Sequence, residues 1–187
     1  MPNPRLAARY AKSLLDLAVE RGQLEAVYAE MQLLQRVVRS SRDLATMLRS
    51  PVVSADKKQS VMNAILTNQV GELTNAFISL LIQKGREGDL PEITTAFISQ
   101  YKKHKGIHVV KLTTASPLSE ELQKKIVAQV KQSGNLDQIE LETTVNPDII
   151  GGFVLQTGDK LIDASIAHEL KAIGRQFDKN DFIYKII

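Results

Sequence analysis

The sequence predicts an α+β protein in two parts: a six-helix bundle over residues 1–105, followed by a small α/β domain over residues 106–187 in the order β-α-β-β-β-α. Three observations predict it. Apolar residues recur at steps of three and four through the first part, β-branched runs replace them from Ile107, and Pro147–Ile166 reads as turn, strand, hairpin, strand and helix start.

In the first helix Leu6, Tyr10, Leu14 and Leu17 share one stripe, and Ala7, Ala11, Leu15 and Ala18 widen it beyond what a surface helix requires. Gly22 breaks it. Leu24, Val27, Met31, Leu34 and Val38 mark a second helix, and Leu44, Met47 and Leu48 a short third one that Ser50-Pro51 stops. Ser54 offers a cap to a fourth, with Val61, Met62, Ile65 and Leu66 on its inner face. The fifth runs from about Gly71 to Lys84, with Leu73, Phe77, Leu80 and Leu81 on one side and Ile78 and Ile82 on another. Asp89, followed by Glu92, reads as a capping box for the sixth, whose stripe is Leu90, Ile93, Phe97 and Tyr101. Six helices on short loops make a bundle.

After Gly106 the period changes. Ile107, Val109, Val110, Thr113 and Thr114 are strand material. Ser116-Pro117 or Ser119 opens a helix carrying Leu118, Leu122, Ile126 and Val130, which Ser133-Gly134 ends. Ile139, Leu141, Thr143 and Val145 then alternate with polar residues as a half-buried strand. Asn146-Pro147-Asp148 is turn chemistry, so a strand is expected from about Ile149. Phe153-Val154-Leu155 and Leu161-Ile162 flank Gly158-Asp159 as a hairpin. Asp163 or Ser165 caps a last helix with the stripe Ile166, Leu170, Ile173 and Phe177.

Composition narrows the chemistry. The 187 residues contain no cysteine, which removes disulfides, thiol nucleophiles and cysteine zinc sites, and His104, His108 and His168 are too scattered for a metal cluster. The densest apolar run, Ala76–Ile82, falls far short of the roughly 20 residues that span a bilayer. Met1-Pro2-Asn3-Pro4-Arg5 lacks the apolar core of a signal peptide, so neither export nor an organellar presequence is expected. Charge is unevenly shared: residues 1–105 hold 15 Lys/Arg against 10 Asp/Glu, and residues 106–187 hold 9 against 11. That asymmetry suits two domains facing different partners.

Candidate sites reduce to structural roles. Gly151-Gly152 lacks the helix N-terminus and the G-x-G-x-x-G or Gly-Lys-Ser/Thr pattern of a phosphate loop, and fits a bulge or a close backbone approach. Asp163, Ser165 and His168 are triad residue types crowded into one helix start, where capping explains them. Glu120-Glu121 open a helix, Glu140 and Glu142 line a strand's solvent face, and no catalytic residue, cofactor or metal site is expected. Lys102-Lys103-His104-Lys105, accompanied by Tyr101 alone, is a cationic helix end rather than a nucleic-acid face. The broad apolar faces of the first and fifth helices leave two readings open: both helices are central, or they expose a groove for a partner.

Ile150-Gly151-Gly152-Phe153, Gly158-Asp159 and Ile162-Asp163-Ala164-Ser165-Ile166 together resemble the C-terminal signature of the delta subunit of bacterial F-type ATP synthases, relatives of the mitochondrial oligomycin-sensitivity-conferring protein. Arg9–Leu14 resembles that family's opening motif, Ser50-Pro51 with Lys57 the turn before its fourth helix, and Lys84-Gly85-Arg86 its end to the fifth. The apolar tail Phe182–Ile187 is a departure, longer than the family pattern, either folded onto its own domain or in contact with a partner.

The resemblance implies a non-catalytic stator subunit, one copy per complex, linking the catalytic head to the peripheral stalk in proton-driven ATP synthesis. It implies a groove between the first and fifth helices for the N-terminal helix of an alpha subunit. By position that groove would involve Ala7, Tyr10, Ala11, Leu14 and Ala18 with Phe77, Ile78, Leu81 and Ile82. The C-terminal domain would hold the b subunits, with Gly151, Gly152, Phe153, Gly158, Asp163 and Ser165 as structural signature residues. Membrane association would be indirect, at the cytoplasmic face of the bacterial inner membrane. The alternative is a nucleic-acid-binding or other helix-binding adaptor.

Overall fold

The computed structural model describes residues 4–67, 69–117, 119, 121–123, 125–128, 138–158 and 160–178. The chain divides into two compact units, Met1–Lys105 and Gly106–Ile187.

In the first unit the apolar stripes become α1 (Pro4–Glu20), α2 (Leu24–Ser40), α3 (Arg42–Arg49), α4 (Ala55–Leu66), α5 (Glu72–Gln83) and α6 (Leu90–His104). α6 is the central helix: Leu90, Ile93, Phe97 and Tyr101 are all buried, and α1 and α2 pack along it. Each such side chain contributes roughly 1.5–3 kcal/mol by leaving water. Gly85, at φ 64°, closes α5 with paired bonds, Arg86 N–H to Leu81 O at 2.8 Å and Gly85 N–H to Ile82 O at 3.0 Å.

Several local expectations are corrected. Asp89 lies in a turn of 3-10 helix, Glu87–Asp89, with no side-chain cap bond, while Glu92 reaches Arg49 at 3.2 Å. A capping box needs an extended residue at the cap, and Asp89 at φ −90° and ψ 3° is not one. Ser54 is extended but makes no side-chain cap bond. The N-terminus of α5 is held instead from α2, where Glu30 Oε1 accepts the Gly71 N–H at 2.8 Å.

On α4, Val61 faces outward, and the buried positions are Lys58, Met62 and Leu66. Lys58, only 4% exposed, donates to Leu48 O at 3.0 Å and to Glu87 Oε1 at 2.6 Å, tying α4 to α3 and to the turn before α6. Replacing it strands a nearly buried carboxylate. Lys58→Met is therefore expected to lose about 3–5 kcal/mol by denaturant unfolding, and Lys58→Met/Glu87→Met to recover part of it. Equal losses in the two variants would remove the ion pair from the explanation.

The second unit is a four-stranded sheet in the order β2-β1-β3-β4. β1 (Ile107–Thr114) and β2 (Gln138–Val145) are parallel, and residues 121–123 and 125–128 are helical in the crossover between them. Antiparallel pairing joins β3 (Gly152–Thr157) to β1 and to β4 (Lys160–Ser165), and α7 (Ile166–Asp178) follows β4 directly. Val110, Leu112 and Leu155 are the buried centre, with Ile126, Ile139 and Leu141 packed against them.

Thr143 and Val145 are exposed rather than half-buried, because β2 is an edge strand. The strand expected from Ile149 starts at Gly152: Pro147–Ile149 makes a 3-10 turn capped by the Asn146 side chain, and Ile150 sits at φ 65°. The crossover helix is capped by Ser119, whose Oγ accepts the Leu122 N–H at 3.4 Å. Leu118, Glu120, Val130, Ser133-Gly134, Asp159, the Phe177 side chain and the tail Phe182–Ile187 lie outside the described residues.

Candidate functional site

Of the nine residues expected to form a groove on α1 and α5, seven belong to the core. Ala7, Ala11, Leu14, Ala18, Ile78, Leu81 and Ile82 are at most 4% exposed. Their burial follows from the wide apolar arcs: residues at the middle of each arc are enclosed by the rest of the bundle, and only the shoulders reach solvent.

Tyr10 and Phe77 are the shoulder residues. Each is half-buried, and their rings meet edge to face across the two helices, with centroids 6.5 Å apart and planes at 66°. Leu6 and Leu17 lie on the Tyr10 side of α1, one turn before it and two after, and both are half-buried. On α5, Leu80 follows Phe77 by three residues and is 43% exposed. Tyr10, Phe77, Leu6, Leu17 and Leu80 thus line an apolar seam. Leu6, Leu17 and Leu80 were readable as stripe members, but nothing in the periodicity separated them from their buried neighbours.

At the other end of the first unit, the basic cluster is partly neutralised. Lys105 Nζ pairs with Glu25 Oε1 at 2.6 Å, and the Tyr101 hydroxyl donates to Glu25 Oε2 at 2.5 Å. The Lys105 bond, followed by the Tyr101 bond, holds the Glu25 carboxyl below its ordinary range. Burial, with Glu25 beside it, pushes the Tyr101 phenol up to about 12.

The signature residues of the second unit meet around the β3–β4 ladder. A Cβ on Gly152, at φ 74°, would stand 2.1 Å from the Ala164 carbonyl oxygen, so this is a close backbone approach. Beside it, Gly151 accepts the Ile166 N–H at 3.1 Å, and the Ile166 side chain covers the space a Gly151 side chain would need. Phe153 pairs with Ala164 across the strands, and Gly158, at φ 56°, sits in the hairpin loop between Thr157 and Lys160.

Asp163 and Ser165 act in series. Asp163 Oδ1 accepts from the Ser165 N–H at 3.0 Å and from its hydroxyl at 2.6 Å, and Ser165 Oγ accepts the His168 N–H at 3.2 Å. The hydroxyl is thereby committed to helix capping, with Asp163 fixing its direction.

These bonds, the hydroxyl first and the N–H second, hold the Asp163 carboxyl below its ordinary value of 3.8, with smaller help from His168 and Lys171. A lowered folded value means the stabilisation is present above 3.8 and fades as pH falls through that lowered value. Amide protection at Ser165 and His168, taken relative to intrinsic exchange at each pH, should therefore fall on acidification below pH 3.8, an acid dependence absent in Asp163→Asn. Identical acid profiles in both proteins would remove Asp163 from the cap.

Among the described residues no helix is long and apolar enough to cross a membrane, and no group of three or more His, Asp or Glu could hold a metal ion.

Residues 6–177 match the family model described as "ATP synthase delta (OSCP) subunit". The chain is 34% identical over 184 residues to the ATP synthase subunit delta of Cytophaga hutchinsonii, covering 98% of this chain and 100% of that one. It is also 34% identical over 186 residues to that of Christiangramia forsetii, covering both chains in full. Among solved structures, a chain in the cryo-EM structure of the Toxoplasma gondii mitochondrial ATP synthase hexamer is similar, with a TM-score of 0.73 and 27% identity, over 92% of this chain and 97% of that one.

Proposed function

This chain belongs to the ATP synthase delta (OSCP) subunit family, a non-catalytic subunit of the complex, and from that premise we propose that it works as a stator link. The first unit binds the N-terminal helix of an alpha subunit of the head, and the second binds the b subunits of the peripheral stalk. Association with the cytoplasmic face of a bacterial inner membrane is then indirect, with one copy in each complex.

The observation that carries this reading is the α1–α5 seam. Tyr10 and Phe77 offer aromatic faces already fixed against each other, flanked by Leu6, Leu17 and Leu80. An amphipathic helix laid along them buries its apolar stripe on a preformed surface, so little binding energy is consumed in ordering the site. Torque from the central shaft acts on the head, and a useful link must hold at nanomolar affinity or better, about −12 kcal/mol. The second unit supports the stalk contact with the solvent-facing stripe Ile166, Leu170 and Ile173 on α7.

The function is mechanical: proton flow and ATP chemistry reside in other subunits. The test is reconstitution. Head and stalk fractions depleted of this chain should co-sediment, and membranes should recover proton-driven ATP synthesis, only when it is added back. Recovery of both without it would refute the stator role.

A further inference from the structure

The charges that border the α1–α5 seam are sorted by sign along its length. On α1 the exposed charges run Arg5, Arg9, Lys12, Asp16 and Glu20, with every cation before every anion. Arg9 and Glu20 each lie three residues beyond a seam position, Leu6 and Leu17, and so stand on its rim. α5 continues the sorting. A small cavity lined by Arg21 and Gln23, just past α1, and by Gly71, Glu72 and Leu73 brings the start of α5 to the end of α1, while Tyr10 and Phe77 meet further along, so the two helices run antiparallel. Exposed Glu72, two turns before Leu80, therefore joins Asp16 and Glu20 at one end of the seam. Exposed Lys84, one turn after Leu80, joins Arg5 and Arg9 at the other.

Helix stability does not account for this order. α1 has no acidic residue in its first turn and no basic residue in its last, and Arg5 and Glu20 occupy the ends that the macrodipole disfavours for their signs. Arg5 with Arg9, and Asp16 with Glu20, are like-charged neighbours one turn apart, which weakens a helix. Among the described residues none of these charges enters an ion pair within the chain.

Resting on the reading that this seam receives a partner helix, we propose that it selects an amphipathic helix acidic along one half and basic along the other. The acidic half lies against Arg5, Arg9 and Lys84, and the basic half against Asp16, Glu20 and Glu72. The direction of docking is thus set by the partner's side-chain charges. Arg9 and Glu20 stand about 16 Å apart along α1, beyond the Debye length of about 8 Å at physiological salt, so each end of the seam reads its own half of the partner. Complementary rims speed encounter, and a helix laid the wrong way round meets like charge at both ends.

Two synthetic amphipathic peptides with the same apolar stripe test this. One carries Glu along its first half and Lys along its second, the other the reverse, and each bears a nitroxide at its N-terminus. Added to the intact, isotope-labelled chain, the first should broaden amides around Arg9 and Lys84, and the second those around Glu20 and Glu72. Scrambling the charges along either peptide should weaken binding at least about tenfold at low salt, a difference that shrinks as salt is added. Arg5→Glu/Arg9→Glu/Asp16→Lys/Glu20→Lys should bind the same organism's alpha-subunit N-terminal peptide at least about tenfold more weakly, yet melt no lower than the native chain, because the inverted charges suit the α1 macrodipole.

One docking direction for both peptides overturns the proposal, since shape or backbone dipole would then set it. So do scrambled peptides that bind as tightly, alpha-peptide binding unchanged by the inversion, or an inverted chain that melts lower, which would assign the charges to the helix itself. Binding of the alpha-subunit peptide that is indifferent to charge leaves the stator reading standing, whereas no binding of any peptide by a folded chain sinks both.

Discussion

Gly152→Ala is expected to unfold the second unit while leaving the helical bundle intact. The Cβ it introduces lies 2.1 Å from the Ala164 carbonyl oxygen, a backbone atom that can withdraw only if β3 and β4 separate. The residue also sits at φ 74°, where an L side chain adds roughly 1–2 kcal/mol of strain. Together these exceed about 4 kcal/mol, in the range reserved for named structural damage, and the buried centre of this unit is only Val110, Leu112 and Leu155. NMR should show the strand resonances collapsing and the α1–α6 resonances persisting. Gly158→Ala is the control: it has positive φ but nothing within 4 Å, and should cost only about 1–2 kcal/mol. Similar melting of the two variants would mean the close approach is not what holds the hairpin.

Charge placed at Tyr10 or Phe77 should strongly weaken helix binding with the fold retained, whereas charge at Leu14 or Leu81 should unfold the bundle. The difference is burial. Leu14 and Leu81 are enclosed, and an aspartate there brings an unpaired carboxylate into an apolar core at a cost of several kcal/mol. Tyr10 and Phe77 keep a solvent path, so Tyr10→Asp or Phe77→Asp loses only part of an edge-to-face contact, about 0.5–1.5 kcal/mol, and its local packing. Binding should weaken by at least about a hundredfold, or some 2.7 kcal/mol, as expected for an aromatic anchor at the centre of an interface. Full affinity in both variants would place the partner elsewhere.

The helices were legible because their stripes are long and their breaks are glycine or Ser-Pro. The signature was legible because Gly152, Gly158 and the Asp163–Ser165 pair each have a local backbone reason that can be read without the fold. What escaped had a tertiary cause. Lys58 looks like surface in a sequence, and its burial depends on Leu48 and Glu87 from other elements. Asp89 and Glu92 have capping-box spacing, yet the preceding 3-10 turn and Arg49 decide their geometry. On α1 and α5 the stripes were visible, but which positions face out depends on the packing around α6, so seven of the nine proposed contacts proved to be core. The strained Ile150 carried no signal at all, since a β-branched residue at φ 65° contradicts its own propensity.

The most direct measurement is a titration of the alpha-subunit N-terminal peptide from the same organism into the intact, isotope-labelled chain, followed residue by residue by NMR. Saturable shifts centred on Tyr10, Phe77, Leu17 and Leu80, with slow exchange at nanomolar affinity and the second unit undisturbed, are the predicted result. Binding that bypasses this seam, or no binding at all by a folded chain, would contradict it.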